Sequence, residues 1–192
     1  MYCQHGISKA ELELINTMRM LWEQHVAWTR MVIISIAEDL ADLGFVTKRL
    51  LRNPLDFKAA LLPLYGEEKS SEFAKLLTEH LVIAAELVKA TKAHDCVAVT
   101  DAEKRWFANA DEIAAFLNYI NSYFSKETFM TMLHEHLILT ESEAIARLNK
   151  DYEKDIALYD MVEQQALTMA DAMSEGIVQQ FPEQFRCRCM NY

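Results

Sequence analysis

This chain is poor in everything that breaks a helix. Its 192 residues include 4 glycines and 3 prolines, well below the roughly 7 % and 5 % of average usage. No Gly-rich phosphate loop and no Gly-x-Ser-x-Gly elbow occurs. P-loop ATP chemistry, a Rossmann dinucleotide site and an α/β-hydrolase triad are therefore excluded. The 4 cysteines stand at positions 3, 96, 187 and 189, near the ends and in one loop, which is no disulfide framework. Cys187-Arg188-Cys189 lacks the two-residue gap usual in zinc knuckles and is expected to form a tail. A Cys-x-x-Cys-His haem attachment motif is also missing,.

Long apolar runs are absent too. The greasiest stretch, from Val26 to Ala37, is interrupted by Arg30 and ends at Glu38-Asp39, too short to span a bilayer. The first residues, Met1-Tyr2-Cys3-Gln4-His5, lack the basic-then-apolar order of a secretory signal,. The formal charge is −10 with a pI near 5.1, which argues against nucleic acid and anionic membrane as partners. A soluble protein of the reducing cytoplasm is the expectation. The oligomeric state stays open, a homo-oligomer included.

What remains is helix. Ala, Leu, Glu, Met and Lys dominate, all good helix formers. One domain is expected over residues 1–186, with 187–192 as a tail. It should be an all-α bundle of about five main helices, four of them long and placed around a polar core site. Helix A is expected from Ser8 to Leu43, opened by a Ser8/Glu11 capping box and closed at Gly44. A connector from Gly44 to Gly66, with Pro54 and Pro63, should hold short helical pieces. The second helix should run from Glu67 to Ala93, and the third from Asp101 to Ile120, after a Thr100/Glu103 capping box. The fourth is expected from Lys126 to Asn149. The fifth should reach about Gln180, with Ile156, Tyr159, Glu163, Ala166, Ala170, Met173 and Ile177 in a heptad seam.

Three histidines recur on the apolar stripes of three of these helices. His25, His80 and His136 are separated by 55 (25 to 80) and 56 (80 to 136) residues. Glu79-His80-Leu81 and Glu135-His136-Leu137 match, and Phe73 and Phe129 each precede their histidine by seven. This reads as a helical-hairpin duplication. Helix depth suggests a fourth ligand. His136 lies fourteen residues before the turn near Lys150, so the residue at equal depth on the next helix is near 164, and Glu163 is there. A buried carboxylate calls for a cation or a metal. The same reasoning about the joint near Phe124 brings Glu112 to the depth of His136.

The expected site is thus His25, His80, His136 and Glu163 around a divalent metal ion, Fe, Mn or Zn being the leading choices. Glu112, Glu143 and Tyr159 would support it. Such a site would suit an oxidoreductase or a sensor. The alternative is a non-enzymatic structural or interaction protein whose buried His/Glu network fixes helix register. A further option is a pocket for a small organic ligand, walled by Trp22 and Tyr159. Ferritin-like dinuclear sites use Glu-x-x-His, whereas Trp22, Leu77 and Leu133 stand three residues before these histidines. Arg30 is either a surface residue or the partner of a buried acid.

Several stretches carry a resemblance. They are Leu21-Trp22-Glu23-Gln24-His25-Val26-Ala27-Trp28-Thr29-Arg30, Arg49-Leu50-Leu51-Arg52-Asn53-Pro54, Asn109-Ala110-Asp111-Glu112-Ile113-Ala114, His134-Glu135-His136-Leu137 and Gly176-Ile177-Val178-Gln179-Gln180-Phe181-Pro182. Together they resemble a group of small, uncharacterised all-helical bacterial proteins, some of them labelled acetylglutamate kinase. Kinases of that kind have an α/β fold with Gly-rich loops, which this chain lacks. More distantly, the His-bearing helices resemble ferritin-like and hemerythrin-like bundles. The resemblance implies a helical bundle and supplies no activity.

Overall fold

The computed structural model describes residues 6–186. The tail over 187–192, with Cys187 and Cys189, and Cys3 near the other end lie outside the described residues. All regular structure described is helical: α1 (Lys9–Ala37), α2 (Leu43–Leu50), α3 (Asn53–Lys92), α4 (Cys96–Ile120), α5 (Lys126–Leu148), α6 (Tyr152–Gln180) and α7 (Pro182–Phe185). The all-α bundle expected from composition is the fold. Among the described residues, no helix is long and apolar enough to cross a membrane.

Helix ends follow local chemistry. Ser8 Oγ accepts from the Glu11 amide at 3.1 Å, so the first capping box forms,. The Thr100/Glu103 box does not. Helix α4 begins five residues earlier, where Asp95 accepts from the amides of Val97 and Ala98 at 3.2 and 3.0 Å. Thr100 instead bonds back to the Cys96 carbonyl inside the helix. Helix α1 stops at Ala37 rather than Leu43. Asp39 takes a positive φ of 53° there, a conformation in which Asp is tolerated, and Gly44 lies within α2. The connector proves to be α2 plus the first arm of α3. That helix bends at Gly66, whose φ of 77° and ψ of 175° suit glycine,.

The helices close a ring. α1 packs on α6, α6 on α5, α5 on α4, α4 on α3 and α3 on α1. The chain builds it from three successive hairpins: α1 with α2 and the first arm of α3, the second arm of α3 with α4, and α5 with α6. The apolar interior falls into two clusters. The larger contains Met18, Trp22, Phe57, Phe73, Phe124 and Phe129. The smaller contains Val32, Ile33, Ile36, Leu50, Leu81, Val88 and Ala144.

Candidate metal centre

Each histidine is carried by the first helix of a hairpin, on its buried stripe, and is at least 97 % buried. Each is held by an amide side chain from the second helix. His25 Nδ1 lies 3.2 Å from Asn53 Oδ1, His80 Nδ1 lies 3.0 Å from Asn109 Oδ1, and His136 Nδ1 lies 3.1 Å from Gln165 Oε1. Each amide nitrogen then donates to the backbone carbonyl four residues before its histidine. The acceptors are Leu21 at 2.9 Å, Leu76 at 3.1 Å and Met132 at 2.7 Å. One pattern is therefore built three times.

That pattern determines the protons. A backbone carbonyl can only accept, so each amide must turn its NH₂ toward it and its oxygen toward the ring. An amide oxygen can also only accept, so each Nδ1 carries hydrogen and donates. Each neutral ring is left with an unprotonated Nε2. The nitrogens that the three rings offer one another all lie within 4.8 Å. With Nδ1 committed to the amides, Nε2 is the nitrogen that each ring has free to ligate. The ring centroids of His25 lie 6.1 Å from those of His80 and 5.9 Å from those of His136.

Charge is unwelcome there. Burial pushes His25 down to about 4 against an opposing hydrogen bond from Asn53. Burial, and then the neighbouring His25, push His80 down to about 3. His136 is lowered well below its ordinary value by burial first and then by the other two rings. All three are neutral at pH 7. Below them, toward the N-termini of their helices, lies a cavity of about 10 Å³ lined by the three histidines, Trp22, Phe73 and Phe129 among others. The Trp22 ring stands 5.4 Å from His25, and Trp106 stands 5.4 Å from His80 on the other side.

The remaining expected residues go elsewhere. Among the described residues the potential metal-ligating group is His25, His80 and His136 without Glu163. Glu163 is half-buried beside Glu23, whose carboxyl is raised by burial and then by Glu163. The heptad seam drawn through Glu163 has a 3.5-residue period, whereas a straight helix turns in 3.6 and drifts about 20° per heptad. The buried face of α6 contains Ala166, Ala170, Met173 and Ile177 as expected. Toward the N-terminus it passes through Val162 and Gln165 instead. Ile156 at the seam's start is exposed. Glu112 is exposed on α4.

Glu143 and Tyr159 belong to a separate ion-pair network. Arg30 Nη1 donates to Glu143 at 2.6 Å and to Asp155 at 2.7 Å, and its guanidinium stacks 4.7 Å over the Tyr159 ring. Arg147 Nη2 lies 3.1 Å from Glu38, and its Nη1 lies 3.5 Å from Asp155. Arg30 is thus the partner of two buried acids. Burial holds the Glu143 carboxyl at about 7 despite Arg30, and raises Tyr159 to about 12, with nearby carboxylates adding to it. Glu143 is two turns from His136, about 10 Å along the axis. Trp22 lines the cavity below the histidines, whereas Tyr159 lines neither that cavity nor the one on their other side.

Sequence reasoning missed the amides. Asn53, Asn109 and Gln165 repeat at intervals of 56 (53 to 109) and 56 (109 to 165) residues, and each follows its histidine by 28 or 29. That doubled periodicity was available as a signal, and it extends the His80/His136 duplication to a third copy at His25. The loop His94-Asp95-Cys96 is a solvated turn: Asp95 caps α4 and Cys96 is exposed. No family model matches this chain, and no curated protein or solved structure matches it.

Proposed function

We propose that this protein binds one divalent metal ion through Nε2 of His25, His80 and His136. The observation that carries the reading is the orientation of the three rings. Amide clamps occupy Nδ1 of each ring, which leaves Nε2 as the nitrogen free to ligate, and the three rings each bring a nitrogen within 4.8 Å of the others. Outward donation from a ligating histidine to a fixed acceptor is also the usual support for metal ligation.

The size is close to suitable. A tetrahedral ion with metal–nitrogen distances of about 2.0–2.1 Å spaces its ligands about 3.4 Å apart. The rings would have to close inward by less than about 1 Å each. Three neutral nitrogens without a carboxylate favour Zn(II), Fe(II), Co(II) or Ni(II) over Mn(II). Three protein ligands leave at least one position for water or an exogenous ligand, the arrangement of reactive rather than purely structural sites. A redox or sensing role for such an open position extends the same proposal.

Cobalt tests it. Metal-free wild-type protein titrated with Co(II) should develop the intense visible bands of a tetrahedral ion, saturating at about one equivalent. Zn(II) should abolish them. Glu163→Gln should leave the titration unchanged, and His80→Gln should remove it. A folded wild-type protein that takes up neither ion overturns the proposal, whatever the variants do.

A further inference from the structure

A second cavity lies on the other side of the histidines, toward the C-termini of α1, α3 and α5. Its walls include Val32, Ile33, Leu81, Val88, Trp106 and Thr140, and they are almost wholly apolar. The polar exceptions in that lining are Thr29, Thr91, Thr140, Glu141 and the Trp106 indole. Trp106 Nε1 and Thr140 Oγ1 are buried without a hydrogen-bond partner, on side chains 2 % and 4 % exposed. Buried donors of this kind are normally satisfied.

The threonines make the contrast plain. Thr29 and Thr140 both stand four residues after their histidine. Thr29 Oγ1 bonds back to the His25 carbonyl at 2.8 Å, and Thr91, also on the cavity wall, bonds back to the Leu87 carbonyl. Thr140 makes no such bond. The Trp106 indole has one side against His80, at 5.4 Å between ring centroids, and also lines the chamber.

We infer that this chamber binds a small neutral molecule of about two to four heavy atoms, largely apolar, with one hydrogen-bond acceptor held by Trp106 Nε1–H and Thr140 Oγ1–H. The size follows from the free space. The chamber offers about 20 Å³ to the centre of a water-sized sphere, and one water needs roughly 10–15 Å³. The lining holds no cationic side chain, and its one carboxylate, Glu141, is only half-buried, so a neutral guest is favoured over an ion,. An aromatic ring is excluded by volume. Indole N–H can only donate, so the guest must accept. The inference deepens the metal proposal by naming the class of molecule that would collect beside the open position, and its test needs no metal.

Acetonitrile has the right size, neutrality and single acceptor. It should be titrated into metal-free, ¹⁵N-labelled protein while the three indole N–H signals are followed, Trp106 being assigned by its loss in Trp106→Phe. The Trp106 signal should move saturably with a midpoint in the millimolar range, the ceiling for three heavy atoms. Those of Trp22 and Trp28 should drift only linearly. Thr140→Val keeps the shape and removes the hydroxyl, so it should weaken binding about 2- to 10-fold. A linear shift shared by all three indoles, or a Thr140→Val midpoint equal to the wild type's, overturns the inference. Failure of the cobalt titration alone leaves the chamber in place, and failure with acetonitrile alone leaves the metal centre in place.

Discussion

Acid should destabilise the metal-free protein through its three core histidines. Unfolded, each imidazole takes up a proton as the pH falls through about 6.5. Folded, His25 stays neutral to about 4 and His80 to about 3, and His136 is held well below 6.5 as well. The unfolded chain therefore binds more protons across this window, so stability must fall as pH falls. At pH 5 each histidine favours the unfolded state by about 2 kcal/mol relative to pH 8, or about 6 kcal/mol for three. Glu143 acts in the opposite sense. Its folded carboxyl near 7 lies above the ordinary 4.5, so the folded state gains on the order of 2–3 kcal/mol between pH 8 and pH 5. The net loss is on the order of 3–4 kcal/mol, a large share of the roughly 5–15 kcal/mol that holds a domain together. Denaturant unfolding with EDTA present, followed by helical circular dichroism at pH 8, 6.5 and 5, measures it. Glu143→Gln removes the opposing group and should widen the loss toward about 6 kcal/mol. Stability of Glu143→Gln that is level between pH 8 and 5 would refute the reasoning. So would an NMR titration in which any of the three rings protonates near 6.5 in the folded state.

Two other outcomes follow from the same contacts. Gln165→Met removes the acceptor of His136 Nδ1–H and frees the ring's tautomer. Metal affinity should fall about 10- to 100-fold in a competition titration, with about 1–3 kcal/mol lost from the metal-free protein for the orphaned donor. Arg30→Met should destabilise by about 3–5 kcal/mol at pH 8, because Glu143 and Asp155 keep buried charge without their main partner,. The loss should shrink at pH 5, where Glu143 is protonated, and cobalt stoichiometry should stay at that of the wild type because this network is separate from the histidines.

Much of this protein is determined by sequence alone. The helix class follows from a shortage of glycine and proline and from apolar steps of three and four, which are local properties of the backbone. So does the placement of His25, His80 and His136 on buried stripes, because a stripe needs only its own helix to be seen. The Ser8 cap is equally local. Tertiary structure decided which polar groups meet. Glu163 and Gln165 are two residues apart and so project about 200° from one another around α6. Only the packing of α5 against α6 selects the amide and turns the carboxylate toward Glu23. The same holds for Arg30, whose two carboxylate partners come from α5 and α6. The protonation of the histidines is also a tertiary result. It depends on backbone carbonyls orienting the amides, and on three hairpins closing into one ring so that the three imidazoles meet in the buried interior.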